Sequence, residues 1–411
     1  MAPPSRTAAK AAPKFVHCVG NPAFNPEDYI QDAERQQRAL DYLKKDDLYY
    51  ASLVTFGLPE RDTYTYHAMT AVKLGQVQHI VTLGGANDLH AWYRAAPEED
   101  SSSSGSAGGR PPGALQPLPP PPPADTDAYV AVFAPHTQTS SALKSLVANA
   151  KKTSLRAAVG AHLAARRHIH AGLPAAFTVP RCKRAPPSAN PYFDFWAWSC
   201  RALEWAGPCA ASARRPASHH VLPIFMHHFG CAVPSHEGLE LLRLAAAGRP
   251  VADVGSGNGY WTFMLRRYGV TVHPVDNMQS EWRVNWVTDT EIADGPAWLR
   301  RRNGGSDLVL LLVYPVVGGG VAGGVEGGFT RDLVAAYEGD TIAVVGTQNA
   351  NGYTGFRDMT MDQYMEREHS DWTKIVQVPL PSFAGKDEAL YIFQRRERAP
   401  KAAAEADMHT T

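Results

Sequence analysis

Residues 251–276 constrain this chain more tightly than any other stretch. Pro250, Val251, Ala252, Asp253 and Val254 read as a short apolar strand, and Gly255, Ser256, Gly257, Asn258 and Gly259 follow at once. Trp261, Phe263, Met264 and Leu265 continue as a helix that Gly269 ends. Residues 270–275 form a second strand with Asp276 at its tip. Each part has a physical task. The glycines let the backbone turn sharply and come close to a ligand. The helix behind them offers free N–H groups and a partial positive charge. An acid at the end of the next strand, 17 residues past Gly259, is placed to accept hydrogen bonds from both hydroxyls of a ribose.

Two cofactor classes share this layout. Dinucleotide folds want glycine at the first, third and sixth places, and the sixth place here is Tyr260. With Asp253 two residues before the first glycine, and a Gly-x-Gly-x-Gly turn, the segment resembles motif I of the class I S-adenosylmethionine-dependent methyltransferases. The resemblance covers residues 229–396. It implies an α/β fold: a doubly wound, mostly parallel seven-stranded sheet with an antiparallel C-terminal strand pair. It also implies S-adenosyl-L-methionine as cofactor, held by Asp253, Gly255, Ser256, Gly257, Gly259 and Asp276. Residues 284–288 fit the third strand, which puts Asp289 where the family often has an adenine-contacting acid. There is little room for the usual helix after Asp276, which makes Asp294 an alternative to Asp289. The apolar run 307–315 fits a strand buried on both faces, a helix follows at 330–337, and residues 340–346 fit the fifth strand. Thr360 and Gln363 make a capping box. Residues 374–378 and 388–394 fit the closing pair.

The other half of the chain carries no such pattern. Asn25, Pro26, Glu27 and Asp28 start a helix, so residues 25–96 read as a helical accessory region after a disordered tail at 1–24. Residues 97–126 turn to acid, Ser, Gly and Pro, with five prolines at 119–123, and predict a disordered linker. Residues 127–228 read as a basic, mainly helical accessory region. Within 144–220 there are twelve Lys and Arg against Asp194 and Glu204 alone. Such a patch could steer nucleic acid, but its aromatics cluster as core does, so nucleic acid is not the favoured partner. Residues 397–411 predict a second disordered tail. Lys plus Arg and Asp plus Glu both number 40, so overall charge selects no partner. Five scattered cysteines point to a reducing compartment, with no disulfide framework and no metal site. There is no apolar run long enough to span a bilayer and no secretory signal, so a cytoplasmic location is expected, away from membranes.

The family reads its acceptor type after strand four. Here that place holds Tyr314, Pro315, Val316 and Val317, which is not the motif of amino-group methylation. Tyr314 is the candidate at the active-site mouth, since ligands of open α/β sheets sit at the strands' carboxyl ends. His227 and His228 precede the next helix, and His228 is the candidate base. Gln348, Asn349, Asn351 and Tyr353 form a polar loop on the same edge. The expected function is methyl transfer to a small-molecule or protein acceptor. The alternatives are a non-catalytic scaffold that keeps the fold, or a nucleic-acid methyltransferase that docks through residues 144–220.

Overall fold

The computed structural model describes residues 21–400, apart from 22, 69, 96–115, 214–217, 320–323 and 351–352. Eight strands form the main sheet: β1 (His168–Ile169), β2 (Val251–Val254), β3 (Val272–Asp276), β4 (Glu291–Ile292), β5 (Val309–Val313), β6 (Thr341–Thr347), β7 (Trp372–Pro379) and β8 (Glu388–Arg395). They lie in the order β1-β7-β8-β6-β5-β2-β3-β4. The run from β6 to β4 is parallel, whereas β8 is antiparallel to both β6 and β7, and β1 is antiparallel to β7. The expected mixed sheet is therefore present with one correction: it has eight strands, because the N-terminal half adds β1 at the edge.

Alternation along the strands builds a core on each face. Val309 and Leu311 of β5 join one apolar cluster, while Leu310 and Leu312 join the other. Helices Gly295–Arg301, Gly328–Ala336 and Met361–Glu368 cover the second face. The first face packs against helices His236–Ala246 and Tyr260–Arg267 and, beyond them, the whole N-terminal half. Leu48, Trp92, Tyr129, Trp196 and Phe229 belong to the same continuous core as Leu390 and Ile392 of β8. The accessory regions are thus cemented to the sheet.

Local chemistry sets the helix starts where the sequence predicted them. The Asn25 side chain accepts from Glu27 N–H, Ser235 accepts from Gly238 N–H, and Thr360 with Gln363 closes a capping box. The accessory region at 25–96 also holds a small hairpin, Thr65–His67 with Ala71–Lys73.

Other expectations need correction. Residues 284–288 are not a strand. Val284 and Trp286 are buried in the N-terminal core, and the third parallel strand is instead Glu291–Ile292. The linker expected at 97–126 is ordered from 116 onward. Gln116–Pro117 pairs with Arg94–Ala95, and the proline run leads into a helix, Pro123–Val132, with proline at its first position. Residues 96–115 lie outside the described residues, as do 1–20 of the first expected tail and 401–411 of the second. The inner ends of those tails are held. Asn21 N–H donates to the Arg283 carbonyl at 3.0 Å, Phe24 meets Trp286 edge-on, and Ala399 packs on the core. No helix among the described residues is long and apolar enough to cross a membrane.

Candidate functional site

Strand order reverses between β2 and β5: β3 and β4 lie to one side, β6 to the other. A crevice opens at such a switch point, outside the carboxyl ends of the strands. Here it is a cavity of about 380 Å³, bounded by the glycine turn after β2, Asp276 after β3, Asp294 after β4 and Tyr314 after β5. That volume suits one ligand of roughly drug or nucleoside size.

The turn owes its shape to its glycines. Gly255, Gly257 and Gly259 have φ of 80°, 56° and 79°, a region that L side chains rarely enter. The end of β3 grips the turn: Gly255 and Ser256 donate to the Val275 carbonyl, and Gly257 N–H donates to Asp276 Oδ2 at 2.9 Å. Met278 N–H donates to Asp276 Oδ1 at 2.7 Å. A carboxylate oxygen can accept twice, so Asp276 keeps lone pairs for a ligand while fixing the loop. The glycines also make room for the chain itself. A Cβ on Gly257 would come 2.8 Å from the Trp282 ring, and one on Gly259 would come 2.3 Å from Val287 Cγ2. The segment 277–290 lies over the turn in this way, and Trp282 becomes a cavity wall.

That segment is pinned from the N-terminal half. Arg283 pairs with Asp62 at 2.9 Å, both almost wholly buried, and its guanidinium lies 4.9 Å from the centre of the Tyr64 ring. Arg283 N–H also donates to the His227 carbonyl.

The sequence-predicted residues divide into three groups. Gly255, Ser256, Gly257, Asp276 and Tyr314 line the cavity, and Gly259 completes the turn. Asp253 lies beneath, fully buried, where its Oδ2 accepts from Thr262 Oγ at 2.7 Å in the first turn of the next helix. It does not line the cavity, so it shapes the turn without reaching a ligand. Asp289 and His228 stand elsewhere. Asp289 is bound side-on by Arg266 at 2.8 and 2.9 Å on the outer surface, which holds its carboxyl below the usual range. Asp294 takes the wall position instead and caps the Gly295–Arg301 helix through Ala297 N–H. His228 is stacked on Phe56 at 3.8 Å in the accessory core, outside the cavity, and burial pushes its pKa well below the ordinary value. The adjacent His227 is spent on the His67 carbonyl and the Tyr64 hydroxyl.

Gln348 turns from the cavity to Asp387 and Gln377. Asn190 caps the Pro191–Ala202 helix and accepts from the Tyr260 hydroxyl. Asn351 lies outside the described residues.

Several site residues carried no sequence signal. Phe229, Gly230 and Cys231 close one side, Trp282 and Phe329 another. Cavity-lining Ser256 Oγ, Asn258 Nδ2 and Trp282 Nε1 are buried without a hydrogen-bond partner among the described residues. Buried polar atoms are rarely left so, and a ligand rich in oxygen and nitrogen would satisfy them. The residues present therefore fit a polar ligand of about nucleoside size, with Asp276 available to accept from it.

The buried Asp253 makes a prediction. Burial, with Asp276 adding to it, pushes its carboxyl up to about 7, against about 3.9 in an unfolded chain. The protonated form is therefore favoured by folding. Its contribution to stability is complete below about pH 4 and is lost as pH rises through about 7. Asp253→Asn should remove this loss. In denaturant titrations the stability of the variant relative to wild type should improve from pH 4 to pH 8. A difference that stays constant across that window would contradict the assignment. Glu388 and Asp194, each also pushed up to about 7 by burial, are present in both proteins and cancel in the difference.

Four bases of the basic segment are paired with distant acids. Arg156, Arg166, Arg167 and Arg201 pair with Asp125, Asp387, Glu237 and Asp127, all from outside 144–220. Arg214 and Arg215 lie outside the described residues. Cys182, Cys200, Cys209 and Cys231 are all free thiols, and among the described residues no group of three or more His, Cys, Asp or Glu could hold a metal ion. No protein-family model matches the chain, and no curated protein matches it.

Proposed function

We propose that the chain is an S-adenosylmethionine-dependent methyltransferase acting on a small-molecule or protein acceptor. One observation carries this reading: Asp276 holds the Gly-x-Gly-x-Gly turn through Gly257 N–H and at the same time lines the cavity at the switch point of the sheet. The antiparallel closing pair β7–β8 and Tyr260 at the sixth place of the turn support it against a dinucleotide enzyme.

When bound, the cofactor supplies a methyl group already activated by its positive sulfur. The protein's task is then positioning and exclusion of water. Asp276 would accept from the ribose hydroxyls, Asp294 would hold the adenine end, and Phe229, Trp261, Trp282 and Phe329 would keep water from the bound group. Tyr314 is on the wall where the acceptor must approach.

Against a nucleic-acid acceptor, Arg156, Arg166, Arg167 and Arg201 are committed to acids, which leaves Arg181, Lys183 and Arg184 among the exposed bases of that segment. The scaffold alternative differs in outcome only after cofactor binding, since it predicts binding without turnover.

Thermal unfolding tests the reading. A ligand that binds the native state alone stabilises it by roughly 2.7 kcal/mol at a hundredfold excess over Kd. S-adenosylmethionine and its demethylated product should each raise the melting temperature, and NAD should not. A rise with NAD alone would favour the dinucleotide class.

A further inference from the structure

Behind Tyr314, just outside the cavity lining, stand ionisable groups that cofactor binding leaves unused. Lys386 comes from the turn between β7 and β8 and Glu388 from the first position of β8, and both are buried, at 4 % and 0 % exposure. Lys386 Nζ lies 2.8 Å from Tyr314 Oη, 4.9 Å from the centre of the Tyr314 ring and 4.5 Å from that of Tyr353. Among the described residues no carboxylate oxygen lies within the 4.0 Å of an ion pair. Neither carboxyl oxygen of Glu388 has a hydrogen-bond partner there either. Cys231 lines the cavity together with Tyr314. A lysine in such a place has aromatic faces and one hydroxyl for company, and no counter-ion in contact. Burial therefore lowers its pKa, against the opposing pull of Glu388 and Cys231. Of the groups beside it, burial raises Glu388 to about 7 and Cys231 to about 11 and lifts Tyr314 well above its ordinary value, with Glu388, Cys231, Tyr353 and Tyr192 adding to the last.

We infer that Tyr314 and Lys386 form a proton relay for the methyl acceptor, and that the acceptor is a phenol. The inference rests on the methyltransferase reading above. In the step, the acceptor O–H gives its proton to Tyr314 Oη while Tyr314 passes its own proton to the amine of Lys386. The acceptor oxygen then forms the bond to the methyl carbon as the carbon–sulfur bond breaks. Its electron pair stays on sulfur, which becomes a neutral thioether. The positive charge thus moves from the sulfonium to the Lys386 ammonium.

Tyr314 is the catalytic residue of this relay, and Lys386 acts through it as a positioning residue. The acceptor class follows from matching. A phenol ionises at about pH 10, within the ordinary range of a lysine and far below that of an aliphatic alcohol, so among hydroxyl acceptors it gives up its proton with the smallest uphill step. A carboxylic acid arrives ionised and needs no relay, and an amine attacks through its own lone pair. Tyr260, Trp261 and Phe329 on the cavity walls suit an aromatic acceptor, and Val316 gives it an apolar rim, 62 % exposed.

The test uses 4-nitrophenol, whose ionisation is visible in its absorption, with full-length protein saturated with the demethylated cofactor product. The bound probe should ionise about one pH unit lower than the free probe, as an oxyanion beside a lysine does. Lys386→Met and Tyr314→Phe should each abolish that shift, and Lys386→Met should bind the product as the wild type does. Two variants guard against a folding defect in one of them. If the wild type binds the product but leaves the probe unbound or unshifted, the relay is overturned and the cofactor reading stands. A shift that persists in Lys386→Met overturns it equally. If the wild type does not bind the product, the cofactor reading falls and the inference with it.

Discussion

Gly259→Ala should destabilise the protein by roughly 2–5 kcal/mol, the sum of a left-handed backbone cost and an overpacking cost. Gly259 sits at φ 79° at the start of the Tyr260–Arg267 helix, and its missing Cβ leaves the space that Val287 Cγ2 fills. The two costs separate in a double-mutant cycle. Val287→Ala in the Gly259→Ala background should recover the packing share, roughly 1–3 kcal/mol, and leave the backbone share. Chemical denaturation of the four proteins measures both. Without recovery, the close approach of segment 277–290 to the turn is not what the glycine serves. Gly257→Ala should be milder, because the Trp282 ring it meets can swing aside.

The second large effect lies outside the recognisable half. Asp62→Ala leaves Arg283 buried without its carboxylate, and breaking a buried pair from one side costs about 3–5 kcal/mol. Asp62 also accepts from the Tyr66 hydroxyl at 3.2 Å, so the loss reaches the Thr65–His67 strand. Arg283 adjoins Trp282, and the variant should therefore bind cofactor more weakly as well as unfold more easily. Asp62→Ala with Arg283→Met should be less damaging than Asp62→Ala alone, since no charge is then stranded. Equal damage in the two would mean that the ion pair does not anchor the segment.

What could be read from the sequence depended on how local the determinants were. The stretch 251–276 was legible because strand, glycine turn, helix and acid are fixed by neighbours in the chain. The run 307–315 was legible because a strand buried on both faces must be apolar throughout. Residues 284–288 misled for a physical reason. Trp286 is apolar because it docks on Phe24 and Phe229, and Val284 is buried in the same core, long-range packing that mimics strand alternation. The true third strand, Glu291–Ile292, is short and exposed on the sheet's edge and gives no apolar signal. His168–Ile169 is equally short and exists only through its pairing with Val376 and Gln377. The proline run looked unable to order itself, yet Pro121 is buried and Leu118 packs on the core. There the tertiary context supplies what the segment lacks.

The site was legible in the same uneven way. The cradle of Gly255, Gly257 and Asp276 came from local pattern. Lys386 carried no sequence signal and Glu388 read only as the start of the closing strand, and only burial across that strand pair brings them to Tyr314. His228 showed the reverse: a residue of catalytic type whose position beside Phe56 makes it a core ring. Asp289 was drawn to Arg266, a partner on the neighbouring helix that spacing alone did not reveal.

The most direct test of the central claim is titration calorimetry of S-adenosylmethionine and its demethylated product into the wild type and Asp276→Ala. The wild type should bind both compounds at one site per chain. Asp276→Ala should weaken both by at least tenfold, since it removes the ribose acceptor and releases the Gly257 and Met278 N–H groups together, a charge-assisted bond alone contributing about 1.5–3 kcal/mol. A wild type that binds neither sulfur compound, or a variant that binds them as tightly as the wild type, would contradict the account.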